Sequence, residues 1–104
     1  MQQYDLYANN DPDSQAAYPY FVDIQTGLLA DLNSRVVIPI VPASETRPYP
    51  KNLCPVVDIN NRPYALLTHQ VTTVSSSFLI TKEGSLRLNR DDIIAALDFL
   101  LMGI

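Results

Sequence analysis

Apolar side chains along this chain gather in short runs broken by turn formers as far as about residue 88, and then in one helical stretch. The runs are Gln3–Tyr7, Tyr20–Ile24, Arg35–Val41, Pro55–Ile59, Pro63–Thr68, Val71–Ser75 and Phe78–Thr81. They are rich in Val, Ile, Tyr, Phe and Thr, which pack on a pleated, half-buried surface, so each run predicts a β-strand. Asn60-Asn61 lies between two of them and predicts a hairpin turn, because Asn tolerates the left-handed backbone region better than most residues. Ala8–Pro19 is polar and predicts a loop. Pro42–Pro55 holds Pro42, Pro48, Pro50 and Pro55; their missing backbone donors exclude a central strand there. Gly27 and Gly84 are expected in turns, and no glycine-rich phosphate loop is present.

After residue 88 the punctuation changes. Asn89 can cap a helix, and Asp91 and Asp92 fall where the positive end of the helix dipole favours acids. IIAALDFLLM follows, and Gly103 suits the left-handed position after the last turn. At about 100° per residue, Ile93, Ile94, Leu97, Leu100 and Leu101 form one broad stripe and are expected to face the core. Asp91, Ala95, Asp98, Phe99 and Met102 then face outward, where an ordinary surface helix carries Lys, Glu or Gln. Two readings of that outer side stand. It packs in a homodimer or under a loop, or it is a partner-binding tip with an acid at the centre of an apolar patch. Asp98 sits near the negative end of the helix, at a cost of about 0.3–1 kcal/mol that solvation or a basic partner would offset.

The expected architecture is mainly β with one C-terminal α-helix: a small, strongly bent sheet or barrel over about 1–88, closed by a helix over about 90–102. At 104 residues the chain fits one domain and has no room for a second core. A composition 47% hydrophobic and 17% charged excludes wholesale disorder. The placement of charge says more. Residues 1–34 hold five acids (Asp5, Asp11, Asp13, Asp23, Asp31) and no Lys or Arg, whereas residues 35–104 hold seven bases against six acids. The first third therefore carries −5 and the remainder +1, which together make the net charge of −4. Direct nucleic-acid binding through a broad basic surface is disfavoured, because phosphate contacts need clustered Lys and Arg.

Candidate chemistry is sparse. Cys54 is the single cysteine and cannot form an internal disulfide. The start MQQYDLYANN has neither the basic residues nor the apolar run of a secretory signal, and Ile93–Ile104, interrupted by Asp98, is too short to span a bilayer. The expected location is the cytoplasm. His69 is the only histidine and reads as a strand-end residue; a Cys54–His69 pair would need a spatial adjacency that sequence does not show. No Cys/His spacing suits a metal, the acids are scattered, and no GxSxG, HExxH, P-loop or dinucleotide motif occurs. Neither a cofactor, a metal nor a catalytic residue is expected. The six tyrosines read as barrel packing rather than a base-stacking platform.

Four segments in order, FVDIQTGLL (21–29), RVVIPIV (35–41), CPVVDIN (54–60) and LLTHQVTTV (66–74), with a C-terminal helix ending Gly-Ile, resemble the CcdB family of plasmid-addiction toxins over essentially the whole chain. The resemblance implies a homodimer of SH3-like barrels with a C-terminal helix, a fold shared with the Kid and MazF toxins. It implies binding to the A subunit of DNA gyrase, trapping of the gyrase–cleaved DNA complex, and neutralisation by a CcdA-type antitoxin. Such a protein acts by wedging into a machine and needs no catalytic group.

The family's gyrase-binding surface includes two apolar residues after the D-x-Q strand, an Asn in the last helix and a final Trp-Gly-Ile. By resemblance these are Leu28 and Leu29, then Asp98 in place of the Asn, then Met102 in place of the Trp, with Gly103 and Ile104 matching directly. Met keeps polarisable apolar contact but lacks a ring face to stack on a gyrase arginine, a loss of about 0.5–2 kcal/mol. Asp98 could pair with a nearby arginine instead. Family members carry basic residues in the antitoxin-facing loop after the first strand. Here that loop is ANNDPDSQAAYP (8–19) with Asn10, Asp11 and Asp13, so an acidic antitoxin tail would be repelled and the protein is expected to have an antitoxin of its own. A solvated loop facing nothing is the other reading of that segment. Two alternatives to the gyrase reading also stand: an mRNA endoribonuclease of the same fold, and a non-toxic homologue that retains only antitoxin binding.

Overall fold

The computed structural model describes residues 2–29, 31–45 and 49–103. Its strands are β1 (Asp5–Ala8), β2 (Tyr20–Asp23), β3 (Ser34–Pro42), β4 (Val56–Ile59), β5 (Arg62–Leu66), β6 (Thr72–Ser75) and β7 (Lys82–Ser85), followed by the helix α1 (Arg90–Met102). They pair antiparallel in the order β4-β5-β3-β2-β1-β7, with β6 also on β3. The protein is thus mainly β, a half-barrel sheet with one C-terminal helix.

Strand β3 organises the sheet. One of its edges runs along β2, from Tyr20↔Ile40 to Asp23↔Val37. The other is shared, with β6 against Ser34–Val37 and β5 against Ile40–Pro42. Pro39 lies between those two ladders. Its carbonyl accepts from Leu67 N–H at 3.0 Å, so its missing donor would point into the gap and removes no ladder bond. Both faces of β3 are covered. Ile38 and Ile40 enter the main core with Leu6, Val22, Leu66 and Ile93; Val37 packs with Tyr7, Phe21 and Leu79; Val41 packs with Cys54 and Ala65. Double burial explains why RVVIPIV is continuously apolar instead of alternating.

Asn60 and Asn61 take φ of 53° and 65° between Ile59 and Arg62 of the β4–β5 ladder, the left-handed hairpin turn expected of them. The first strand begins at Asp5, later than the apolar run suggested. Gln2 N–H donates to the Asp5 carboxylate at 2.9 Å, and Tyr4 has φ of 72°. That conformation costs a bulky residue about 1–3 kcal/mol. It is held by Tyr4 N–H donating to the Asp23 carbonyl, by Leu86 N–H donating to the Tyr4 carbonyl at 2.7 Å, and by burial of the ring.

Two other expectations need correction. Phe78–Thr81 is not a strand: Ser76–Phe78 is a 3-10 turn in which Ser75 Oγ accepts from Ser77 N–H, and Leu79 turns into the core. The last strand is Lys82–Ser85, wholly exposed and without an apolar signal, formed because it completes the edge of β1. Gly84 therefore lies inside a strand rather than in a turn, opposite Leu6 where the ladder shifts register, with φ of 148°, a glycine-favoured value.

The helix is turned from the expected face by roughly 50° at 100° per residue. Ile93 and Ala96 are fully buried and Leu97 packs on the main core, whereas Ile94 and Leu101 are exposed. Phe99, expected outside, is half-buried. Apolar residues on nearly every side left the pattern ambiguous, and the helix rests on the short turns Thr68–Gln70 and Arg87–Asn89 with small Ala96 inward. Asn89 stands at the cap position without a side-chain cap bond, while Gly103, at φ of 70°, closes the helix with its N–H on the Phe99 carbonyl.

Candidate docking site

The ten residues from Ile24 to Asn33 join β2 to β3 and present three exposed leucines close together in sequence. Leu28 is 94% exposed, and Leu29 and Leu32 about half. Leu28 and Leu29 form a 3-10 turn with Gly27, where Thr26 Oγ1 accepts from Leu28 N–H at 3.3 Å and the Thr26 carbonyl accepts from Leu29 N–H at 3.1 Å.

Beneath this apolar turn lies a charged interior. Asp23 and Arg35 are fully buried, with Arg35 Nε 2.8 Å from Asp23 Oδ2. The other carboxylate oxygen accepts from Gln25 N–H at 2.9 Å. Arg35 Nη2 donates to the Gln25 carbonyl at 3.0 Å and Nη1 to the Leu29 carbonyl at 3.5 Å. The Gln25 side chain receives Val36 N–H at 3.0 Å and donates to the Leu29 carbonyl at 3.3 Å. Sequence reasoning noticed the D-x-Q pattern but missed Asp23, Gln25 and Arg35 as supports. A lone Arg in an apolar run offers no sequence signal of burial; only alignment of β2 and β3 brings it to Asp23.

The second part of the site is the end of α1. Asp98, Leu101, Met102 and Gly103 are exposed, with Met102 at 70% and Leu101 at 75%. Ile94, Asp98 and Met102 follow at i, i+4 spacing and share one face, so an acid does sit within an apolar patch, though Ile94 and Leu101 rather than Phe99 complete it. Among the described residues no basic side chain pairs with Asp98. Ile104 lies outside the described residues. Within one chain, the loop bearing Leu28 and Leu29 is not an element on which the helix mainly packs.

The loop after β1 is knitted internally. Asp11 Oδ1 accepts from Asp13 N–H at 3.0 Å and Oδ2 from Ser14 Oγ at 3.0 Å. Asn9, buried, donates to Ser14 Oγ and the Tyr18 carbonyl. Asn10 reaches Thr81 Oγ1 at 3.4 Å. Asp11 thus shapes the loop, and Asn10, Asp13 and Gln15 are exposed polar groups on it.

Folding does bring Cys54 and His69 together, Sγ to Nδ1 at 3.6 Å, and Tyr49 packs on the imidazole with ring centroids 4.6 Å apart. The thiol is buried, and burial pushes its pKa up, with a Thr68 backbone hydrogen bond opposing the shift. Such a thiol is protonated at neutral pH and poorly nucleophilic. Burial also raises the Tyr7 hydroxyl, reinforced by Asp5, and the Tyr20 hydroxyl, reinforced by Tyr64. In all three the folded state favours the neutral form, so their stabilisation is complete below the unfolded pKa values, about 8.5 for thiol and 10 for phenol, and is lost as pH rises through the folded ones. The urea midpoint is therefore expected to fall between pH 8.5 and 11; a midpoint unchanged across that range would contradict these assignments.

Among the described residues no group of three or more His, Cys, Asp or Glu could hold a metal ion, and no helix is long and apolar enough to cross a membrane. What the surface offers is apolar contact on a braced turn and at a helix end, with the exposed carboxylate of Asp98 at the latter. The chain belongs to the CcdB protein family, whose model matches residues 3–103, nearly the whole chain; the family is one of toxins from toxin–antitoxin pairs. No curated protein matches the sequence.

Proposed function

We propose that this protein is a toxin that binds the A subunit of DNA gyrase and traps the gyrase–cleaved DNA complex, and that a CcdA-type antitoxin neutralises it. The observation carrying this reading is the exposure of Leu28, Leu29, Met102 and Gly103 at the positions that correspond to the family's gyrase-binding residues. By the same correspondence Asp98 and Ile104 are assigned to gyrase binding. The protein acts in the cytoplasm as a homodimer, which covers part of the apolar helix face, and it is not itself an enzyme. The antitoxin meets the loop bearing Asn10, Asp11 and Asp13.

Incubation with gyrase, supercoiled DNA and ATP, followed by detergent and protease, is expected to release linear DNA. Induced expression should arrest growth in an ordinary host and not in one with toxin-resistant gyrase. Fragmented RNA with intact DNA would instead establish an endoribonuclease, and growth unaffected in both hosts a homologue that keeps only antitoxin binding.

A further inference from the structure

The ion pair beneath the Leu28–Leu29 turn has a role that stability does not account for. A buried Arg–Asp pair is on average no better than well-packed apolar residues of the same volume, because desolvating two charges offsets their attraction. What apolar residues lack is direction. The guanidinium presents five donors in a rigid fork, and here the fork reaches Asp23 and the carbonyls of Gln25 and Leu29. Three donors converge on the Leu29 carbonyl: Arg35 Nη1, Gln25 Nε2 and Leu32 N–H. The backbone of the turn is thus gripped from the inside while the Leu28 and Leu29 side chains stand in solvent.

We infer that Asp23, Gln25 and Arg35 are positioning residues for partner binding, holding Leu28 and Leu29 as a pre-shaped apolar knob rather than a mobile loop. The inference rests on the gyrase reading for the identity of the partner. Pre-shaping avoids the ordering cost that a floppy loop would incur on docking, so losing it appears as weaker binding by a protein that is still folded.

Two variants test this against purified gyrase A subunit. Gln25→Met removes both side-chain bonds of Gln25 at nearly constant volume. It is expected to weaken binding roughly tenfold, the scale of one or two lost buried hydrogen bonds, and to speed amide exchange at Leu29 and Leu32. Combined with Leu28→Ala, its effect should be less than multiplicative, because both changes act through the same knob. The paired replacement Asp23→Leu with Arg35→Met leaves no unpaired charge; a melting temperature at or above that of the natural protein together with weakened binding is the signature of a positioning role. Gln25→Met binding as tightly as the natural protein, or multiplying cleanly with Leu28→Ala, overturns the inference. If the natural protein does not bind gyrase A, or Leu28→Ala is neutral, the partner reading fails instead, and the exchange rates decide the network: faster at Leu29 and Leu32 supports it, unchanged overturns it.

Discussion

Removal of Met102, Gly103 and Ile104 is expected to abolish growth arrest while leaving the fold in place. The helix is anchored further back, by Ile93 and Ala96, both fully buried, and by Leu97 against the main core. Met102 is 70% exposed, so deleting it withdraws little apolar area from the core. The structural loss is the C-terminal closure, where Gly103 N–H meets the Phe99 carbonyl at 2.9 Å. A loss of about 1 kcal/mol shifts the melting temperature of a domain this size by about 4–8 °C. The functional loss is far larger, because the deletion removes the end of the apolar patch surrounding Asp98. Induced expression with a parallel thermal melt checks both halves. Growth arrest that persists in the truncated protein would sink the assignment of this surface.

Arg35→Ala is expected to be the most damaging single change to stability. It leaves Asp23 with no ion partner in a fully buried position, a defect of about 3–5 kcal/mol against a total of about 5–15 kcal/mol for a typical domain. It also removes the donors to the Gln25 and Leu29 carbonyls. A fall in melting temperature of roughly 12–40 °C is expected, and toxicity should vanish with it. Arg90→Ala is the control. Arg90 lies 3.6 Å from Asp91 with both side chains largely exposed, and such a pair contributes almost nothing after solvent screening, so its melt should overlay that of the natural protein. A mild effect of Arg35→Ala would mean that water or a rearranged loop satisfies Asp23.

These two predictions draw on parts of the molecule that differ in how far the sequence discloses them. The exposed end of the helix was legible because its terminator is local: a glycine after the last turn acts through its own φ. Leu28 and Leu29 were legible only through the order of motifs shared with a family. The support beneath them was not legible at all. Arg35 reads as one residue of a β run until β2 and β3 align at Val22↔Ile38 and Asp23↔Val37, and the partner of a buried charge is a long-range fact.

The same division runs through the fold. The strands with β-branched and aromatic side chains, the Asn60-Asn61 turn and the helix after residue 89 were each written in short-range preferences, which a few neighbouring residues suffice to express. The strand Lys82–Ser85 carries no such preference and exists because β1 offers it an unpaired edge. The helix could have buried any of several faces, since apolar residues surround it; packing over Thr68–Gln70 chose the one with Ala96 inward. Sequence by itself thus determined the first six strands, the terminal helix and the family. Tertiary structure decided which face is buried, where the last strand lies and what holds the exposed leucines in shape, because those outcomes depend on pairing between segments whose contacts no local pattern encodes.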